Sequence, residues 1–484
     1  MSVELSSAGR SYPSLNRKNY KTMPVLPEKV LQFGTGVLLR ALPDYFIDKA
    51  NKQGLFNGSI VMVKSTSTGR VDAFNMQDGL YTICVRGVQK EITIDEVIVN
   101  ESVSRVINAN TDWMKVLETA ADPGFKLVIS NTTEVGIRFL AENIDATPPV
   151  SFPGKLLAWL HERYQVFNGA MDAGVIIIPT ELVMDNATVL QQVLNELSVF
   201  NKLDEHFMQW LNEANTFCNS LVDRIVPGKL PVDEYDKMVR HTGYEDELMI
   251  MAEPFRLWAI EGDSKIKAEL SFAAADEGVV IAESIEKFRE LKLRLLNGTH
   301  SFCCARAYLK GFSTVKEAMG NDEFLEFIES LVYDEIVPSV VSGDISETEA
   351  RDYAATVLDR FRNPFLQHKW ISISLNYTSK MLLRNVPLIL RYYALYNQVP
   401  VKMAEGFAAY IRFMRCRQKE DGKYYGERNG EEYLVQDDQA AYYAECWRSA
   451  PGHEVVRMVL SNEELWQTDL TALNGFLEKV QELV

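Results

Sequence analysis

The stretch Lys292-Leu293-Arg294-Leu295-Leu296-Asn297-Gly298-Thr299-His300 sets a lysine, an asparagine and a histidine within nine residues of an apolar, helix-forming segment. On an α-helix turning about 100° per residue, Asn297 lies about 140° and His300 about 80° round from Lys292. All three can border one cleft. A lysine taken out of water loses the hydration that favours its charged form, so its pKa falls towards neutrality. That is the property a general acid/base needs. Asparagine and histidine can then polarise an oxygen on which negative charge builds. The same pattern also describes an amphipathic helix with Lys292 in solvent and His300 in the core.

A second segment points to a partner for that chemistry. Lys29-Val30-Leu31-Gln32-Phe33 reads as a short apolar strand, Gly34-Thr35-Gly36 as a turn, and the residues through Ala41 to Ala50 as a helix. Glycines let a backbone approach a pyrophosphate, and a helix N-terminus favours its charge. Leu39 stands where a third glycine of Gly-x-Gly-x-x-Gly is expected.

Those two segments sit in a chain of 484 residues, long enough for two or three domains. Its 47% hydrophobic and 24% charged residues are ordinary globular composition. The net charge of −17 argues against nucleic acid as a partner. An anionic small molecule stays open, because a local basic pocket can exist on an acidic protein. The six cysteines form no Cys-x-x-Cys pair, so reduced thiols in a cytoplasmic setting fit best. No secretory signal and no membrane-spanning apolar run is legible. Met1 to about Tyr20 is polar and expected to be irregular.

Strand candidates are Val30–Phe33, Ser59–Val63, Tyr81–Val85, Leu127–Ser130 and Gly174–Ile178, with helical patterns at Ala41–Asn51 and Trp113–Ala121. Ile92–Val106 reads as a strand and turn inserted in that order. Such alternation predicts an α/β domain with a parallel sheet. From about Glu283 helical periods dominate: Ser284–Leu309, Asp322–Val337, Glu347–Phe361, Leu382–Tyr396, Val401–Cys416, Gln439–Cys446 and Gly475–Leu483. The expected division is residues 1–280, α/β, and 281–484, mainly α-helical. The lysine helix falls at the junction, where ligand clefts commonly form.

The Lys-x4-Asn-x2-His spacing of Lys292, Asn297 and His300 resembles the active-site motif of the long-chain polyol dehydrogenases, or mannitol dehydrogenase family. Gly34-x-Gly36-x-x-x-Arg40-Ala41 resembles that family's cofactor turn. Asn219-Ser220-Leu221-Val222-Asp223-Arg224-Ile225-Val226-Pro227 resembles its Val-Asp-Arg-Ile signature, and Glu253-Pro254-Phe255 with Trp258 another shared stretch. The resemblance runs from about Val30 to the final helix. It implies a Rossmann-type NAD-binding domain followed by a helical domain, and a small-molecule oxidoreductase that uses no catalytic metal. Gln77–Thr82, the stretch 130–136, and Gly426–Gly430 with Val435–Asp438 look particular to a branch interconverting aldonates and ketouronates.

Site residues follow from the resemblance. Lys292 is the expected general acid/base, with Asn297 bonding the developing alkoxide and His300 positioning the substrate oxygens or the lysine. A further family asparagine has Asn186 as its candidate here, since the usual Cys-Asp-Asn is replaced by Thr180-Glu181-Leu182. Asp223 is expected to bond a substrate hydroxyl; Arg224 is either its ion-pair partner or a support for the loop. Lys380 matches a family lysine, but the arginine eight residues before it is Ser372 here. Arg384, one helical turn after Lys380, is the candidate to meet a carboxylate.

Phe33, Gly34, Gly36, Arg40, Asn131, Thr132 and Glu134 are placed at the cofactor. Lys64 joins them for a different reason. After Val61-Met62-Val63 there is no acid to bond the ribose hydroxyls of NAD, and a lysine can tolerate the 2′-phosphate of NADP. NAD is the expectation from the resemblance, with NADP left open. The competing expectations are a related uronate reductase, a polyol dehydrogenase, and a nucleotide-binding protein without catalysis.

Overall fold

The computed structural model describes residues 12–65, 71–132 and 136–484. It divides into two units: residues up to Arg86 with Ile94–Ile285, and Gly87–Thr93 with Glu286–Val484. Within the opening segment expected to be irregular, residues 1–11 lie outside the described part. From residue 12 onward it is tied down, with Ser14 bridging Glu245 and Leu15 fully buried.

In the first unit the strands are β1 (Glu28–Phe33), β2 (Ser59–Lys64), β3 (Tyr81–Gln89), β4 (Ile92–Asn100), β5 (Val103–Asn108), β6 (Leu127–Ser130), β7 (Ile176–Pro179), β8 (Thr216–Phe217), β9 (Ser220–Asp223), β10 (Ile250–Ala252), β11 (Leu257–Glu261) and β12 (Val279–Ala282). Six of them form a parallel sheet in the order β5-β2-β1-β6-β7-β8. The apolar runs of β1, β2 and β6 are continuous because both faces are covered. Val30, Ile60, Met62 and Ile129 pack on one face, and Leu31, Val61, Val63 and Val128 on the other. β3 leaves this sheet and pairs with β4 and β10, so Tyr81–Val85 is a strand of a separate three-stranded sheet. The inserted piece expected at Ile92–Val106 is β4 and the first part of β5.

The helix expected through Ala41 to Ala50 is two helices, Val37–Ala41 and Pro43–Lys52, broken at Leu42 (φ −129°, ψ −78°). Pro43 opens the second, as its missing N–H and fixed φ favour.

The second unit is helical, with three wider turns set into its helices. Lys292–Gly298, Leu331–Ile336 and Met381–Asn385 are π-helical, each continuing directly into α-helix. A small antiparallel sheet, β13 (Cys416–Gln418), β14 (Tyr424–Arg428) and β15 (Glu431–Val435), interrupts the helices. The core runs through Leu295, Phe302, Phe327, Trp370, Tyr377, Phe407 and Tyr410. Among the described residues no helix is long and apolar enough to cross a membrane.

Candidate active site

In the first unit the chain turns out of β1 at Gly34, whose φ of +129° disfavours any side chain. A Cβ there would also sit 2.8 Å from Leu39 Cδ1 and 3.1 Å from the Asn131 carbonyl. Leu39, in the place of a third glycine, is fully buried and packs under the turn. Gly36 is different. It precedes the first helix with φ −65° and ψ 159°, which any residue adopts, and a Cβ added to it meets nothing within 4 Å among the described residues. As N-cap, Gly36 has no side chain to cap the helix it opens. Helix-start amides with no described atom crowding them suit a phosphate oxygen.

The other residues assigned to the cofactor take several positions. Phe33 is buried against Phe152 and offers only its carbonyl, which accepts from the Asn131 amide at 3.2 Å. Asn131 Nδ2 donates to the Thr180 carbonyl and hydroxyl, both at 3.0 Å. Thr132 donates through its amide (2.9 Å) and hydroxyl (3.1 Å) to Glu181, which also takes the Ser130 hydroxyl at 3.1 Å. Burial pushes the Glu181 carboxyl up from its ordinary pKa. Lys64 ends β2 opposite Asn108 and is buried. Glu134, and residues 66–70 after β2, lie outside the described residues.

Arg40 points into the protein. Its Nη1 donates to the Leu248 carbonyl at 2.6 Å, and its guanidinium lies over the Tyr81 ring at 5.3 Å. Beneath the turn, Gln32 Nε2 donates to the Gly34 carbonyl at 3.2 Å, and the Tyr81 hydroxyl donates to Asp44 at 2.9 Å. Full burial raises the Asp44 pKa to about 7.

Asn186 is spent on the backbone. Its Nδ2 donates towards the carbonyls of Pro179 (3.1 Å), Glu181 (3.0 Å) and Ser220 (3.0 Å), and its Oδ1 accepts from the Ser220 amide at 3.0 Å. It clips the end of β7 to the start of β9. Asp223 ends β9, is buried and pairs in register with Leu257. Arg224 holds the loop: its Nε donates to the Glu253 carbonyl at 2.9 Å, its Nη1 donates to the Ala41 carbonyl, and its guanidinium stacks over Tyr45 at 4.7 Å. Burial lowers its pKa to about 10. Glu253 Oε1 accepts from the Ile225 amide at 2.6 Å, so the Val-Asp-Arg-Ile and Glu-Pro-Phe stretches are locked together.

In the second unit, Lys292 and Asn297 are half-buried at the two ends of the first π-turn. A π-turn bonds i to i+5 and turns less per residue than an α-helix, so five residues overshoot one full turn by less. Lys292 and Asn297 are therefore closer round the helix axis than the roughly 140° expected on an α-helix. His300 follows on the α-helix, buried and stacked on Phe361 at 4.2 Å, with His368 edge-on at 5.1 Å. Its pKa lies well below the ordinary value, first from burial and then from His368, Arg360, Arg384 and Lys380. It is a neutral imidazole at physiological pH.

Lys380 donates to the Ile373 carbonyl at 2.7 Å, and Arg384 Nη1 to the Ser301 hydroxyl at 3.3 Å. Burial lowers both pKa values, and for Lys380 the neighbouring Arg384 adds to it. Ser372 is exposed. Arg360 and His368, which sequence reasoning did not single out, belong to this group through their electrostatic action on His300. Their only sequence signal is a basic residue at each end of Arg360–His368, just before the matched lysine. Among the described residues no cluster of three or more His, Cys, Asp or Glu is placed to hold a metal ion.

Comparison with known proteins adds to this geometry. A family model described as the mannitol dehydrogenase Rossmann domain matches residues 28–272, and one described as the mannitol dehydrogenase C-terminal domain matches residues 284–484. The chain is similar to altronate oxidoreductase of Halalkalibacterium halodurans, 39% identical over 97% of this chain and 92% of that one. It is 38% identical to altronate oxidoreductase of Klebsiella pneumoniae, over 96% of this chain and 95% of that one. In fold it is similar to mannitol 2-dehydrogenase of Pseudomonas fluorescens, solved as a ternary complex with NAD and D-mannitol. That match has a TM-score of 0.65 at 20% identity and covers 97% of this chain and 96% of the other.

Proposed function

This chain belongs to the mannitol dehydrogenase family of oxidoreductases, and on that premise we propose that it interconverts D-altronate and D-tagaturonate with NAD(H) and no catalytic metal. That activity places it in hexuronate breakdown. The observation that carries the choice of an acidic sugar is the set of charges around His300. His368, Arg360, Arg384 and Lys380 all push its pKa down, so its strongest electrostatic neighbours are basic residues. In a chain of net charge −17 such a concentration suits a bound anion. The relatives named altronate oxidoreductase support the same reading.

The roles follow from the chemistry of each side chain. In reduction, Lys292 Nζ gives a proton to the ketone oxygen; in oxidation it takes one from the hydroxyl. Asn297, on the same π-turn, donates to the oxygen as negative charge develops. Neutral His300 donates a hydrogen bond from a ring that Phe361 holds in place. Arg384 pairs with the substrate carboxylate, with Lys380 adjacent. Asp223 accepts from a substrate hydroxyl.

Nicotinamide, when bound, supplies or accepts the hydride. The first unit suits a dinucleotide at Gly34 and Gly36, where the backbone is bare and no described atom lies within 4 Å of a Cβ added at Gly36. Asn131 and Thr132, fixed through Thr180 and Glu181, line the neighbouring strand end. Lys64 stands where NAD-specific sites commonly carry an acid, which favours testing NADPH beside NADH. The six cysteines are buried and unpaired, in keeping with a cytoplasmic setting.

The test is a coenzyme absorbance assay of the purified protein with NADH or NADPH and a panel of D-tagaturonate, D-fructuronate and D-fructose. The reading requires D-tagaturonate to give the highest kcat/KM, with NADH. Preference for D-fructuronate or for the neutral ketose replaces it with the corresponding reductase, and no turnover on any of them removes it.

A further inference from the structure

We propose that Arg294 and Asn385 form a two-way brace that holds the Arg384-bearing turn against the Lys292-bearing turn, and that this brace sets how tightly a carboxylate-bearing ketose is taken. The inference rests on the function proposed above. Neither residue is assigned a contact with substrate; both are positioning residues.

The need for the brace is written in the sequence. Helix Val386–Tyr396 carries Pro387 in its first turn. Proline has no N–H, so the Leu383 carbonyl four residues earlier lacks its α-helical donor. The π-turn Met381–Asn385 further breaks the regular ladder around it. Leu383 itself is exposed, but its carbonyl sits in a part-buried contact, where lacking a donor is costly. Arg294 fills the gap: its Nη1 donates to the Leu383 carbonyl at 2.6 Å and to the Arg384 carbonyl at 3.0 Å. Arg294 is itself buried and sits two residues after Lys292 in the other π-turn. Glu290 aims it, accepting from its Nε at 2.8 Å, and also accepts from Arg391 at 3.2 Å.

The return contact runs the other way. Asn385, fully buried, donates Nδ2 to the Gly298 carbonyl at 3.0 Å, at the end of the lysine-bearing turn. Arg384 lies between these two ties and reaches the Ser301 hydroxyl at 3.3 Å. The backbone that carries the proposed carboxylate partner is thus fixed on both sides to the helix that carries the proposed acid/base. An arginine fork suits this because its planar, spread donors serve two carbonyls and one carboxylate in a fixed geometry, which the compact ammonium of a lysine does not hold.

The experiment compares Arg294→Met, Arg294→Lys and Asn385→Ala with the wild type in two measurements. The first is amide hydrogen exchange without substrate, over peptides covering residues 292–302 and 381–391. Both peptides should exchange faster in Arg294→Met and Asn385→Ala, with Arg294→Lys between them and the wild type. Unchanged exchange overturns the brace, whether or not the chain reduces D-tagaturonate. The second is steady-state kinetics. KM for D-tagaturonate should rise about tenfold or more in Arg294→Met, as misplacing a binding group does. kcat and NADH affinity should change by less than about threefold, and exogenous guanidinium should restore part of the KM. Equal losses of kcat/KM on D-tagaturonate and D-fructose, with no guanidinium rescue, overturn the positioning role and leave only packing. Failure of the wild type to reduce D-tagaturonate refutes the proposed function, and the exchange result still decides the brace. If Arg294→Met does not fold, Asn385→Ala carries both measurements.

Discussion

Lys292 and Asn297 stand five residues apart on a π-helical turn, so their side chains are closer round the helix axis than α-helical winding would set them. On an α-helix the same residues diverge. In the proposed function the wider turn lets one helix present both a proton donor and an amide donor to a single oxygen. Each residue of the account can be tested separately.

The two glycines of the cofactor turn should respond differently. Gly36→Val should leave the fold intact, since its backbone is ordinary and its Cβ would meet no described atom within 4 Å. It should weaken NADH binding by about tenfold or more, because the side chain occupies the room a pyrophosphate needs. Gly34→Ala should instead destabilise the protein by about 1–3 kcal/mol through its positive φ and its contact with Leu39. Fluorescence titration and thermal melting separate the two; full NADH affinity in a folded Gly36→Val protein removes this turn from the site.

Arg384→Met should raise KM for D-tagaturonate by about 10- to 150-fold, the worth of a charged hydrogen bond in a partly dry site. The loss in kcat/KM should be much smaller with D-fructose. Equal losses on both substrates would assign Arg384 to the fold and send the search for the carboxylate partner elsewhere.

Asn186 offers a test between catalysis and architecture. Asn186→Ala breaks the clip between β7 and β9, and the buried groups left behind should cost about 2–4 kcal/mol. kcat at a temperature where the variant is folded should stay within about threefold of wild type. A collapsed kcat with unchanged stability would return Asn186 to the substrate.

Asp44 should make stability depend on pH. Its carboxyl titrates at about 7 in the fold, against the lower ordinary value in the unfolded chain. Between those values the folded chain holds a proton that the unfolded chain has released, so the Asp44 contribution falls as pH rises from about 4 to about 7. Asn cannot ionise. Asp44→Asn should therefore gain about 2–3 kcal/mol on the wild type between pH 5 and pH 8 in urea unfolding. A pH-independent difference would show that Asp44 stays ionised in the fold.

The sheet was legible because the runs at Val30–Phe33, Ser59–Val63 and Leu127–Ser130 are continuous and apolar, as doubly covered strands must be. The helix break at Leu42 was also within reach, since Pro43 restricts the residue before it. The hairpin of β14 and β15 carried a plain signal in Asn429-Gly430, both with positive φ, which the helical reading of this half passed over. The π-turns had no such signal. They differ from α-helix by which amide meets which carbonyl, and Leu293–Leu296 is equally apolar in either. The role of Asn186 was hidden too, because one of its backbone partners, Ser220, is 34 residues away. The partners that bury Arg40 and Arg224 are likewise distant in sequence, as the Leu248 and Glu253 carbonyls are.

The central claim is that Lys292 moves the proton, and Lys292→Ala tests it most directly. The measurement is turnover of D-tagaturonate with NADH, beside a direct NADH binding titration of the same sample. The account predicts a loss in kcat of about 100-fold or more, as for other general acid/base groups, with NADH affinity unchanged. A folded variant that kept more than about a tenth of wild-type turnover would contradict it, and Lys380, whose pKa is lowered by burial, would become the residue to examine.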